Sequence, residues 1–249
     1  MNLQRLIPPA LAWRIDARAR KKRETLLFSE LYGQFLKQGD LCYDIGANLG
    51  NRVESFLHLS CKVIALEPQS SCFKTLEEKY GSSSDVTLIN QAVGSEAGEM
   101  HIHLSEDHVL SSFSKDFIER TTNSGRFANS SWDRTEACQI TTLDALIQQY
   151  GVPQFIKIDV EGFEPEVLAG LAIPVPALSI EWVPEMPEIA RSCIAHLASL
   201  GDYEFNISWA ETMKLSNKGW RSQESILNLI DEFAGETFLF GDIYARLRK

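Results

Sequence analysis

The sequence has no Cys-x-x-Cys pair, no apolar run long enough to span a membrane, and no overall excess of positive charge. Its five cysteines (Cys42, Cys61, Cys72, Cys138 and Cys193) are scattered, and two fall in or beside expected strands. Free thiols there behave as small apolar groups, so a reducing, cytoplasmic setting is expected. Leu6 to Trp13 is apolar but contains Pro8-Pro9 and precedes a basic block, which makes a poor signal peptide. The net charge of -10 argues against general nucleic-acid binding. That charge is uneven. Residues 1–23 carry seven basic residues against Asp16, a local +6 that leaves -16 for the remainder. With 249 residues and 44% hydrophobic content, the chain can build one α/β domain with a substantial core.

A fourth absence is more informative. Leu41 to Gly50 reads Leu-Cys-Tyr-Asp-Ile-Gly-Ala-Asn-Leu-Gly, a short apolar strand, a glycine-bearing turn, and the start of a helix over Asn51–Leu59. Glycines admit a ligand close to the backbone, and the helix N-terminus offers free N–H groups. A dinucleotide fingerprint would place a second glycine two residues after Gly46, where this chain has Asn48. An acid, Asp44, ends the strand instead. Asp44 would repel a pyrophosphate and suits a ligand with positive charge near the turn. S-adenosylmethionine, with a sulfonium and an ammonium, fits.

From there strands alternate with helices. Strands are expected at Lys62–Leu66, Val86–Asn90, Glu99–Leu104, Gln154–Val160, Ala177–Trp182, Tyr203–Ile207 and Phe238–Leu247. Helices are expected from Ser70 to about Tyr80 and over Thr142–Tyr150, Pro165–Gly170 and Pro187–Leu200. Ser105–Glu136 is polar and without clear period, the best candidate for a long loop or lid. No internal repeat and no long linker are evident. Residues 1–38 read as an N-terminal helical extension, helical over 10–37, and 39–249 as one Rossmann-like domain. Its repeated β-α-β units imply a doubly wound, mostly parallel α/β sheet. Ligands sit at the carboxyl ends of such strands, and Asp44, Glu67, Asn90 and Asp159 all fall near expected strand ends.

Glu67 is placed to accept hydrogen bonds from ribose hydroxyls, which supports an adenosine ligand without separating S-adenosylmethionine from NAD. Phe155 to Gly162 reads Phe-Ile-Lys-Ile-Asp-Val-Glu-Gly. On a central parallel strand, which should be almost continuously apolar, Lys157 and Asp159 would have to pair or line a cavity; on an edge strand they would form a solvated face. Glu181, on the next strand, would face the same cleft. His101, His103 and His108 lack a fourth ligand at zinc-site spacing and read as the polar face of a strand. Ser111 and Ser112, inside the polar segment, are candidates for substrate contact by position alone.

Six segments together resemble the FkbM family of S-adenosylmethionine-dependent methyltransferases. They are Asp44–Gly50, Leu66–Pro68, Asn90–Gly94, Ser111-Ser112, Thr142–Asp144 and Phe155–Gly162, in the family's order. The resemblance implies a class I methyltransferase sheet and methyl transfer, usually to a hydroxyl of a sugar or secondary-metabolite scaffold. It places Asp44, Gly46, Asn48 and Gly50 around the methionine part of the cofactor. Glu67 would bind the ribose, and Asn90 to Val93, with Ala92, would flank the adenine. Lys157, Asp159 and Glu161 would lie beside the transferred methyl.

Asp159 is the first candidate for the base, with Lys157 tuning its charge and Glu161 or Glu181 as alternates. Such an oxygen-rich site would suit Mg2+, although no residue pattern calls for it. The basic stretch Arg14–Arg23 reads as a solvated helix face or a foothold on an anionic membrane. Two rivals share the fold: a non-catalytic cofactor-binding or scaffold protein, and an NAD-dependent oxidoreductase. The first leaves the costly buried charges unexplained, and the second lacks its glycine.

Overall fold

The computed structural model describes residues 22–210, 212–216, 218–236 and 239–248. Most of the basic N-terminal stretch therefore lies outside the described residues, as does the start expected for the last strand at Phe238. Helix α1 runs through 22–32. Then come β1 (Leu41–Ile45), α2 (Asn51–His58), β2 (Lys62–Leu66), α3 (Ser70–Tyr80) and β3 (Val86–Ile89). A smaller group follows: β4 (Ala92–Val93), β5 (Gly98–Leu104), α4 (Lys115–Asn123) and β6 (Arg134–Thr141). The chain continues with α5 (Leu143–Tyr150), β7 (Phe155–Ile158), α6 (Glu164–Ala169), β8 (Ala177–Trp182) and α7 (Pro187–Leu200). It ends with β9 (Tyr203–Trp209), α8 (Gln223–Glu232) and β10 (Gly241–Leu247).

The main sheet has the order β3-β2-β1-β7-β8-β10-β9, and β10 is the one strand in it that runs opposite to the rest. This is the doubly wound, mostly parallel sheet expected from the alternating pattern. Strand order reverses between β1 and β7, and the crevice outside their carboxyl ends is where such sheets bind ligands.

Alternate residues of each strand supply two cores. Tyr43, Ile45, Ile156, Ile158, Leu178 and Ile180 pack against α5, α6, α7 and α8. Cys42, Phe155, Ala177 and Tyr244 face the other way and pack with Phe28, Leu31 and Tyr32 of α1 and Val53 and Phe56 of α2. Helix α1 thus belongs to the core of the sheet. Asp44, Lys157 and Ser179 are paired across β1, β7 and β8 on this second face, and all three are buried.

Three departures from the sequence reading stand out. The polar segment 105–136 is not a structureless loop: it holds a 3-10 turn at His108–Leu110, all of α4, and the first residues of β6. Ser114 caps α4 by accepting from the Phe117 N–H, and only Phe117 and Thr121 of that helix are buried. Two inward residues give too weak a period to read. β6 pairs with β5 and β4 in a separate three-stranded sheet. Helix α8, which the reading passed over, is capped by Ser222 and buries Ile226 and Ile230. No helix among the described residues is long and apolar enough to cross a membrane.

Candidate active site

A cavity of about 340 Å³ opens at the carboxyl ends of β1, β2, β7 and β8. Gly46 forms its floor with φ +81°, and a Cβ there would lie 2.0 Å from the carbonyl oxygen of Asp159. Only glycine lets the β1 turn meet the end of β7. Gly50 also has positive φ but is set back from the cavity: a Cβ there would meet Tyr80 and Leu76 of α3. Its missing side chain serves helix packing.

Asn48, in the left-handed region at φ 49°, turns its backbone N–H onto Glu67 Oε2 at 2.8 Å. Glu67 Oε1 accepts from the Gln69 N–H at 2.8 Å. Burial pushes the Glu67 carboxyl up to about 7, and the bonds from Gln69 and Asn48 offset only part of that. Ala92 and Val93 line the apolar end of the cavity. Asn90 lies outside it, donating instead to the carbonyls of Glu67 and Pro68 at 2.8 and 3.1 Å. Asp44 also lies outside the lining, fully buried beneath the turn, and among the described residues neither of its oxygens accepts a hydrogen bond. Burial raises the Asp44 carboxyl above its ordinary range, while Lys157 and Arg52 pull it back.

At the other end stand the charges of β7 and β8. Lys157 Nζ pairs with Asp159 Oδ2 at 2.6 Å. Burial works against the Lys157 ammonium, but Asp159 and Asp44 outweigh it and hold the proton on. Burial likewise opposes the Asp159 charge, and the Lys157 ammonium and its hydrogen bond more than compensate, lowering that carboxyl. Asp159 is therefore a weak base. One oxygen each from Asp159, Glu161 and Glu181 lies within 4.8 Å of the others. Burial, then Asp159 and Glu164, raise the Glu161 carboxyl well above normal; burial, Glu161 and Asp159 do the same to Glu181. Glu161 itself sits in the left-handed region at φ 53°. Glu164 Oε1 ties that turn by accepting from Val160 and Gly162.

The profile of the methyltransferase FkbM domain matches residues 44–206. The chain belongs to the FkbM methyltransferase family. The match spans Asp44, Glu67, Lys157, Glu161 and Glu181 but stops short of α1, α8 and β10. No curated protein matches the sequence. Similar solved structures include a precorrin-6y C5,15-methyltransferase from Geobacter metallireducens, 13% identical, with a TM-score of 0.46 over 90% of this chain and 87% of that one. An rRNA methylase from Streptococcus thermophilus is 12% identical, with a TM-score of 0.41 and coverages of 88% and 94%. A TehB-like methyltransferase from Corynebacterium glutamicum is 10% identical, with a TM-score of 0.41 and coverages of 96% and 100%. At these values the likenesses add nothing to the family assignment.

Within the FkbM site, Ser111 and Ser112 are both engaged internally. Ser111 lines the cavity and its Oγ donates to Gln69 Oε1 at 2.9 Å. Ser112 is fully buried and its Oγ donates to the carbonyl of Glu161 at 2.6 Å. The His108 carbonyl bridges the site from above, accepting from Asn48 Nδ2 at 3.3 Å and Gln69 Nε2 at 3.0 Å. Among the described residues, Asp159, Glu161 and Glu181 form the one His/Cys/Asp/Glu group able to hold a metal; His101, His103 and His108 do not converge. Sequence reasoning missed Gln69, Arg52 and Glu24, which also line the cavity. Gln69 follows Glu67-Pro68 closely enough to have been suspected. Glu24 carried no local signal.

Proposed function

We propose that the chain transfers the methyl group of S-adenosylmethionine to a hydroxyl oxygen of a sugar, glycan or secondary-metabolite acceptor. The residues fit that cofactor. Gly46 lets the β1 turn close on the end of β7 at the cavity, Glu67 is buried in the cavity lining, and Asp44 is an unbonded acid beneath the turn. Bound there, the cofactor would supply a methyl already activated by its sulfonium. The chain's part is then to align the acceptor oxygen, exclude water and take the hydroxyl proton.

The observation that carries hydroxyl methylation is the Glu161–Glu181 pair beside the Lys157–Asp159 ion pair. Two carboxyls this close titrate together, and whichever of them is ionised takes up a proton readily. Their raised affinity for protons makes either a better base than Asp159. Lys157 and Asp159 then act as a fixed dipole that orients the acceptor.

Titration calorimetry with S-adenosylhomocysteine and with NAD, followed by transfer of labelled methyl to a panel of sugars, tests this reading. Binding of S-adenosylhomocysteine and label on a hydroxyl oxygen would support it. Binding of NAD alone would overturn it.

A second reading of the same carboxylates is a divalent cation such as Mg2+, which favours clustered oxygens. Transfer that survives exhaustive chelation would dismiss that reading. The excess of +6 in residues 1–23 also supports a peripheral contact with anionic membrane through Arg14–Arg23. Equal vesicle binding by a chain lacking residues 1–23 would remove that contact.

A further inference from the structure

A second depression, of about 360 Å³, lies between β5 and α4 and shares no lining residue with the cavity. Its walls follow from two sequence periods. On β5, Ile102 lines the cavity, so the next residue, His103, lies on the other face of the strand and lines the groove. On α4, Phe117 and Thr121 are buried, while Lys115, Ile118 and Glu119 line the groove at helical spacing. Trp132, in the segment leading to β6, completes the wall. Its Nε1 donates to the carbonyl of Leu110 at 2.8 Å, which commits the indole N–H. What the indole offers the groove is its ring, held in place by that bond.

The polar groups around that ring are uncommitted. Among the described residues, the side chains of His103, Lys115, Glu119 and Asn123 take part in no hydrogen bond or ion pair. Between them they supply both donors and acceptors. A sugar unit has the matching chemistry, with C–H groups on a ring face for the indole and a rim of hydroxyls that donate and accept. An apolar ligand would leave four polar groups unanswered, and one lysine beside one glutamate is a poor seat for a polyanion. We propose that this groove binds a sugar unit of a glycan acceptor, remote from the unit that is methylated. Its place in the reaction rests on the glycan reading above. The chain passes from cavity to groove within two residues, since Phe113 lines the first and Lys115 the second, a reach of about 7 Å. Neighbouring units of one glycan can therefore occupy both. The turn at His108–Leu110 serves the two sites together: the His108 carbonyl bridges the cavity and the Leu110 carbonyl holds Trp132.

The test is a titration of the full chain with maltotriose, cellotriose and chitotriose, followed by saturation-transfer NMR and repeated with S-adenosylhomocysteine present. At least one trisaccharide should bind at millimolar concentration or below, and S-adenosylhomocysteine should not compete with it. Trp132→Ala should weaken that trisaccharide by roughly tenfold. Asn123→Ala, at an exposed position, should weaken it by about 3- to 10-fold without lowering the melting temperature. Both variants should keep wild-type affinity for S-adenosylhomocysteine. Binding of no trisaccharide, competition by S-adenosylhomocysteine, or wild-type trisaccharide affinity in either variant would overturn the proposal. Trisaccharide binding by a chain that binds no S-adenosylhomocysteine would uphold the groove and overturn the cofactor reading. In methyl transfer, Trp132→Ala should raise KM for an oligosaccharide acceptor by roughly tenfold and leave KM for its terminal monosaccharide unchanged. Equal changes for the two acceptors would overturn the groove's place in the reaction.

Discussion

Ser112 Oγ and the carbonyl of Glu161, 49 residues apart in sequence, are joined by a hydrogen bond of 2.6 Å. The bond ties the segment between β5 and α4 to a turn that holds a non-glycine residue in the left-handed region. Phe117 of α4 closes on the same turn: a Cβ on Gly162 would lie 2.7 Å from Phe117 Cβ. Ser112→Ala would leave the Glu161 carbonyl unpaired and should cost about 1–3 kcal/mol of stability. It should also lower methyl transfer more than S-adenosylhomocysteine affinity, because it acts on the Glu161 turn. Parallel melting and transfer assays check this, and equal affinity and transfer losses would count against it.

Two glycines of one motif should respond differently. Gly46→Ala meets backbone at 2.0 Å, which cannot retreat without parting β1 from β7. It should abolish S-adenosylhomocysteine binding. Gly50→Ala meets the side chains of Tyr80 and Leu76 and should chiefly lower the melting temperature. Calorimetry and thermal melting of the pair would separate the roles.

The buried carboxyl of Glu67 predicts a pH dependence. Its affinity for protons is raised from 4.5 to about 7 by burial, as is that of Glu164. A carboxyl raised in the folded state binds more protons there than in the unfolded chain, so its contribution to stability is full below about 4.5 and is lost as pH rises to about 7. Cofactor binding should run the other way. In the proposed cofactor site, ribose hydroxyls would donate to the ionised form, so affinity for S-adenosylhomocysteine should rise about tenfold between pH 6 and 8, with proton release. Calorimetry in buffers of different ionisation enthalpy would show it, and Glu67→Gln should abolish it.

Division of labour among the acids can be tested by single amides. Glu161→Gln and Glu181→Gln should each lower transfer by roughly 100-fold or more, with cofactor affinity little changed. Asp159→Asn should act differently, because it also leaves the Lys157 ammonium without its partner. Its main effect should be on stability, about 3 kcal/mol. If Asp159→Asn alone stopped transfer in a chain of unchanged melting temperature, Asp159 would be the base.

Much of this arrangement was legible before folding. Repeated β-α-β units implied a sheet covered on both faces, and acids at strand ends marked the binding edge. Both are local patterns, because strand period and turn chemistry are written within a few residues. Helix α4 was not legible, since its inward face is only Phe117 and Thr121. Glu161 and Glu181 were both suspected, but their proximity depends on the register of β8 beside β7.

By itself, then, the sequence determined the doubly wound sheet, the glycine turn, and the acids that gather at its edge. Only the tertiary structure decided which acid is tied down by Lys157 and which keep a raised affinity for protons. Those properties depend on burial and on charges brought together from distant strands. Tertiary structure also decided that Phe28 and Arg52 meet, because α1 and α2 are adjacent only after both have packed on the same face of the sheet.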